Sequence, residues 1–324
     1  MESYQPRYVY WELSNYCNLR CKHCFAEAVG DKSTIANEWH IRSKLQEMRR
    51  RGRFAVRFGG GEPLMVPYIY NLVEFCNFND IPVDITTNGT LLTEESLIML
   101  SQAGLRELTI SLDGLEATHD FIRGSGMFQH SLEAIKRGLL CSNITLSIAF
   151  TVTALNYGQL ETFTEKLVNI GVTKFYFFRY CANSNSNYLE LNQSVLEYVS
   201  KSINQLIQKY NNITFVHEGF GFYTKRWDKR YPVTEGCNFL KGVLSIDYRG
   251  NIVVCAAINK ILGNIFGDEL ATLYDKVRDE QKAIACVPIE CKPCCYSKVC
   301  HGGCKSCSYL TNGSYQLKDI YCFT

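Results

Sequence analysis

Nothing in the 324 residues is apolar for long enough to span a membrane, and the start, Met1 to Arg7, lacks the charged and apolar regions of a secretory signal. A cytoplasmic protein with no membrane role is the expectation. No charge of one sign dominates either: 34 Lys and Arg oppose 32 Asp and Glu, leaving +2. A surface built for nucleic acid is therefore not expected. The basic run Arg49, Arg50, Arg51 and Arg53 ends a helix-like stretch, where cations complement the helix dipole. Internal repeats and low-complexity tracts are absent apart from a short polar loop at 183–187, and 46% of residues are apolar, which excludes a disordered chain.

What the sequence has in excess is cysteine. Its 16 cysteines fit poorly with disulfides, which are rare in reducing compartments and typical of much smaller secreted scaffolds. Metal clusters explain them better, and so does their distribution. Three lie between Cys17 and Cys24, ten lie from Cys237 onwards, and only Cys76, Cys141 and Cys181 fall between.

From Tyr8 to about Tyr210, short β-branched or aromatic runs alternate with longer amphipathic stretches, the signature of repeated βα units around a parallel sheet. Strands are expected at Tyr8–Leu13, Phe54–Phe58, Pro82–Thr87, Glu107–Leu112, Thr145–Val152 and Lys174–Phe178. Helices are expected at Glu38–Arg50, Tyr68–Phe78, Thr93–Ala103, Phe128–Leu140, Tyr157–Ile170 and Ser194–Lys209. This is an α/β fold of six units. The unusual residues follow strands: Cys17 to Cys24, Gly59 to Glu62, Asn88 and Gly89, Asp113 and Gly114. In barrel-like α/β folds that edge carries the active site. After Asn211 the alternation stops, so a barrel unit over 1–215 and a second unit over 216–324 are expected, the latter with a hairpin of Leu244–Asp247 and Ile252–Cys255.

Cys17, Cys21 and Cys24 offer three thiolates in one loop, which suits three irons of a cubane cluster and leaves the fourth iron without a protein ligand. A zinc site with His23 as fourth ligand is the competing reading. The ordered set CxxxCxxC, Gly60-Gly61-Glu62-Pro63, Thr87-Asn88-Gly89 and Ser111-Leu112-Asp113-Gly114, each after its strand, resembles the radical S-adenosylmethionine (SAM) superfamily. The resemblance implies a partial (β/α)6 TIM-like barrel in which Cys17, Cys21 and Cys24 hold a [4Fe-4S] cluster that cleaves SAM to methionine and a 5′-deoxyadenosyl radical. It further implies that Gly60, Gly61 and Glu62 receive the methionine ammonium. Asn88 and Ser111 would bind ribose or carboxylate, Arg123 would pair with the SAM carboxylate, and His23 would lie against adenine.

The tail has a longer pattern. Cys237, Gly250, Cys255, Cys291, Cys294, Cys300, Cys304 and Cys322 are separated by twelve, four, thirty-five, two, five, three and seventeen residues, which resembles the seven-cysteine SPASM domain. That likeness implies an outer auxiliary [4Fe-4S] cluster on Cys291, Cys294, Cys300 and Cys322 and an inner one on Cys237, Cys255 and Cys304, three clusters in all. The inner cluster has three cysteines, so its fourth iron is open, the preferred reading, or taken by a spare cysteine such as Cys295 or Cys307. Cys181 follows the sixth strand, where it can donate a hydrogen atom or contact substrate; burial without function is the alternative.

Relatives of this kind oxidise peptides or small molecules. Anaerobic sulfatase maturases carry a catalytic aspartate directly after the second tail cysteine, whereas Ala256 and Ala257 follow Cys255. Sulfatase maturation is thus disfavoured, and the expectation is a peptide maturase acting on a ribosomally made precursor. A haem-type or quinone-type small molecule is the alternative substrate, and a purely metal-binding scaffold the non-enzymatic one. The first strand starts at about Tyr8, which leaves no room for a leader-binding domain, so the expectation is delivery by a separate leader-binding protein, direct binding of the precursor to the barrel, or a substrate that is not a peptide, with a flavodoxin or ferredoxin as electron donor.

Overall fold

The computed structural model describes residues 4–28, 30–181, 187–220 and 237–322. Most of the polar stretch 183–187 lies outside them. Seven parallel strands run β1 (Tyr8–Ser14), β2 (Ala55–Gly60), β3 (Val83–Thr87), β4 (Glu107–Ser111), β5 (Thr145–Val152), β6 (Lys174–Arg179) and β7 (Thr214–Glu218). Three more, β8 (Val243–Ile246), β9 (Asn251–Cys255) and β10 (Ile258–Asn264), extend the same sheet, in the order β10-β9-β8-β1-β2-β3-β4-β5-β6-β7. β8 is parallel to β1, whereas β9 and β10 are antiparallel additions. β7 and β10 are the two ends of the sheet, which is therefore an open, partial barrel.

The two faces of the sheet differ in chemistry, because successive strand residues point to opposite sides. Val9, Trp11, Val56, Phe58, Ile85, Leu108, Ile148, Phe175 and Phe177 belong to one continuous core beneath the helices. The alternate residues Tyr8, Tyr10, Arg57, Asp84, Glu107 and Tyr176 line an interior cavity. Towards the strand starts these form an ionic layer. Arg57 lies 3.3 Å from Glu107 and 3.7 Å from Asp84, Arg106 lies 2.6 Å from Asp84, and Lys174 lies 2.6 Å from Glu107. Pairing makes such buried charge tolerable, and Arg57 also sits 4.7 Å from the centre of the Tyr176 ring.

The connecting helices are α1 (Glu38–Arg51), α2 (Ile69–Phe78), α3 (Glu94–Ala103), α4 (Glu116–Arg123), α5 (Met127–Leu139), α6 (Leu160–Asn169) and α7 (Gln193–Lys209); the tail adds α8 (Leu270–Ile284), α9 (Ser297–Cys300) and α10 (Lys305–Asn312). α1 buries Ile41, Leu45 and Met48, one stripe at helical spacing. α3 starts on a reciprocal cap between Thr93 and Ser96 and ends at left-handed Gly104.

The alternating α/β reading of 8–209 holds. The structure adds α4, β7, β10, α8, α9 and α10 to the elements expected from the sequence. β7 runs through residue 215 and joins the sheet beside β6, with Phe215 stacked on Phe175 at 5.6 Å between ring centres. Among the described residues, no helix is long and apolar enough to cross a membrane.

Candidate active site

The strand ends open into one cavity of about 930 Å³. Its rim begins with the loop after β1, which carries Cys17, Cys21 and Cys24; all three line the cavity. The loop after β2 presses against it, Gly61 N donating to Ser14 O at 2.7 Å and Glu62 N to Tyr16 O at 2.8 Å. Two glycines are required there. A Cβ on Gly60, whose φ is +106°, would fall 2.3 Å from Ser14 O, and one on Gly61 would fall 2.1 Å from Tyr16 O.

Donors lie against the sulfurs of Cys17 and Cys21. Leu19 N lies 3.3 Å and Asn88 Nδ2 3.9 Å from Cys17 Sγ, and Arg123 Nη1 lies 3.8 Å from Cys21 Sγ. Burial pushes the Cys17 thiol up to about 11, so the group favours the proton unless a metal replaces it.

Glu62 is buried behind Gly61 and outside the cavity wall. Its carboxylate accepts from Thr87 Oγ1 at 2.7 Å, Leu64 N at 3.1 Å and Asn88 N at 2.8 Å, which ties the second rim loop to the third. Burial raises its pKa against these bonds. Asn88 faces the cavity and donates to Asn18 Oδ1 at 2.9 Å. Ser111 faces it too.

Asp113, just past β4, is the hub of the opposite wall. It accepts from His23 Nε2 at 2.8 Å, from Arg123 Nε at 2.5 Å and from Thr151 N at 2.7 Å. Burial alone would raise its pKa, but Arg123 and His23 overcome this and hold it well below the usual carboxylate range. The imidazole of His23 and the guanidinium of Arg123 thus reach the cavity already oriented.

The tail thiols close the cavity from the other side. Cys237, Cys255 and Cys304 line it, as do Ala256 and Ala257. Burial pushes the Cys237 thiol up to about 12, with Cys255 and Cys304 adding to the effect. Cys291, Cys294 and Cys322 line a second cavity of about 500 Å³, whereas Cys300 lines the first cavity and is near enough to Cys322 and Cys291 for their charges to act on it. Both cysteine sets that the sequence pattern groups are thus gathered in space.

Two residues of this site have places that the sequence does not show. Asp113 was visible as part of a motif, but its role as anchor for His23 and Arg123 was not. Glu218, at the end of β7, lines the cavity with its pKa raised by burial, and its charge acts on Cys255. It lies past the last expected strand, so no local signal marked it.

Residues 11–156 match the model of the radical SAM superfamily. The chain carries a radical SAM domain. The same architecture extends beyond it: SuiB of Streptococcus suis, in a crystal structure with its precursor peptide SuiA, superposes with a TM-score of 0.81 at 20% identity, over 99% of this chain and 76% of that one. An AdoMet-dependent heme synthase of Methanosarcina barkeri is 27% identical over 98% of this chain and 96% of its own length. The mycofactocin maturase MftC of Mycobacterium tuberculosis is 25% identical over 96% of this chain and 81% of its own.

Residues 11–156 thus form a radical SAM domain, and the chemistry of such a domain calls for SAM and a [4Fe-4S] cluster. The donor set fits the cluster, with three cavity-lining cysteines on one loop, N–H donors at Cys17 Sγ and a guanidinium at Cys21 Sγ.

Proposed function

We propose that this radical SAM enzyme removes a hydrogen atom from a ribosomally made peptide and oxidises it, installing a crosslink, a thioether or a related bond. The observation that carries the reading is one cavity whose wall joins Cys17, Cys21 and Cys24 to Cys237, Cys255 and Cys304, with no unpaired cation among its described residues. Arg57, Arg106, Lys174, Arg123 and Arg179 each face a carboxylate. A macrocycle bearing several carboxylates needs free cations to hold it, whereas a peptide needs hydrogen bonds and aromatic walls such as Tyr10, Phe25 and Tyr176.

In this reading Cys17, Cys21 and Cys24 hold the first cluster, which when bound supplies the electron that cleaves SAM to methionine and a 5′-deoxyadenosyl radical. Asn88 and Ser111 bind the ribose or carboxylate, Arg123 the carboxylate, and His23 the adenine face. Gly60 and Gly61 offer backbone to the ammonium, and Glu62 braces that ledge from behind. Cys237, Cys255 and Cys304 hold the inner auxiliary cluster, and Cys291, Cys294, Cys300 and Cys322 the outer one. Glu218 accepts the substrate proton where Ala256 offers none. The barrel unit then ends with β7 at Glu218 and the auxiliary unit begins at Cys237. A flavodoxin or ferredoxin delivers the electrons.

The full-length likeness to the M. barkeri heme synthase favours a second reading, a porphyrin-type substrate. Anaerobically reconstituted enzyme with SAM and reductant separates the two. A short peptide encoded beside the gene is expected to accelerate 5′-deoxyadenosine release and to lose hydrogen by mass spectrometry. Turnover of an iron porphyrin carboxylate with no peptide oxidation would replace the first reading by the second.

A further inference from the structure

Six cysteines fall outside the two cluster patterns, and the structure separates them. Cys76 is buried in the core and Cys141 packs against it, while Cys286 and Cys295 are exposed. The remaining two meet Cys304. Cys181 Sγ lies 2.9 Å from Cys307 Sγ, and the sulfurs of Cys181, Cys304 and Cys307 all lie within 4.8 Å of one another. The cavity wall distinguishes them: Cys181 lines it together with Cys237, Cys255 and Cys304, whereas Cys307 is buried behind it on α10.

We propose that Cys181, at the end of the sixth barrel strand, is the fourth protein ligand of the inner auxiliary cluster, and that Cys307 remains a thiol behind it. The assignment rests on the reading that Cys237, Cys255 and Cys304 hold that cluster. It reverses the preference for an open iron that the tail pattern alone suggests. Ligation replaces the S–H bond of Cys181 by an S–Fe bond and releases one proton to solvent, with no electron consumed.

One buried ion pair sets the positions of both sulfurs. Arg179, two residues before Cys181, binds Asp319 through both guanidinium nitrogens at 2.6 and 2.9 Å. The same Asp319 accepts from Cys304 N at 3.0 Å. Strand β6 and the Cys304 backbone are therefore held by one carboxylate, and the Arg179 charge lies where a four-thiolate cluster carries excess negative charge. A cluster so ligated has no vacancy for a substrate sulfur. It takes an electron from the substrate instead of anchoring it.

The test uses the full chain with Cys17, Cys21 and Cys24 changed to Ala, so that only auxiliary clusters contribute. After anaerobic reconstitution, iron content and the EPR spectrum of the reduced protein are measured with and without 2-mercaptoethanol. The parent should hold about eight irons per chain with a spectrum the thiol does not move. Adding Cys181→Ala should lower the iron content or create a thiol-sensitive signal, and adding Cys307→Ala should do neither. A parent spectrum that shifts with thiol, or iron loss from Cys307→Ala and not from Cys181→Ala, overturns the assignment. A parent with only about four irons removes the inner cluster itself, a distinct failure that takes this proposal with it. If Cys181→Ala does not accumulate, Cys181→Ser takes its place, and a reduced EPR spectrum identical to the parent's overturns the assignment.

Discussion

The two cysteine regions are built on opposite plans. Cys17, Cys21 and Cys24 sit on one loop, braced backbone to backbone by the loop after β2 and anchored in a sheet with its own large core. The tail thiols come from residues far apart in the chain, just before the turn at Asn238–Lys241, at the end of β9 and around α9, a helix of only four residues. A ligand set held by a preformed sheet needs no metal to exist. A dispersed set on little regular structure is defined by the metal as much as by the chain.

The sharpest break of that contrast is iron removal. Chelation under reducing conditions should unfold 291–322, where structural metal supplies stabilisation on the order of 10 kcal/mol, and leave β1–β7 protected in hydrogen exchange. Uniform loss of protection would show that both regions depend on metal alike. Next in size is Asp319→Ala, which strands buried Arg179 and frees Cys304 N. It should cost about 3–5 kcal/mol in thermal or chemical unfolding and deplete auxiliary iron, while iron on the first loop stays.

Acid should strike the barrel side. His119 accepts from Asp113 N at 3.0 Å, and burial, then Arg123, lowers its pKa from 6.5 to about 4. The unfolded chain binds the extra proton between those values, so this stability is full above pH 6.5 and is lost as pH falls through about 4. The His119 share is up to about 3 kcal/mol, and His119→Gln should flatten that limb of a denaturation series in cluster-free protein. At the seam, Glu218→Gln should slow peptide oxidation by about 10²-fold, read by mass spectrometry, without abolishing 5′-deoxyadenosine release. Thr93→Ala, far from either cluster, should cost only about 1 kcal/mol and leave both iron sites unchanged.

Legibility follows the same division. Strands β1 to β6 and their helices could be read because each apolar stripe carries its own period, and Thr93 with Ser96 marks a helix start locally. β7 could not be read, because its place depends on Phe215 meeting Phe175 and Phe177 across the sheet. The rim motifs pointed to the correct loops but not to the partners within them. Sequence reasoning aims Glu62 and Arg123 at SAM, whereas their first engagements are with Thr87, Leu64 and Asn88, and with Asp113 and Cys21. Which carboxylate meets which cation depends on strand order and register, which local pattern does not encode.

The residues alone determined the α/β alternation, the cysteine loop after the first strand and the grouping of the tail cysteines, because each rests on spacing along the chain. Only the tertiary structure decided that Asp113 orients His23 and Arg123, that Glu218 enters the cavity, and that Cys181 reaches Cys304. Those are meetings of residues up to 123 positions apart, brought together by a sheet that begins and ends far from either.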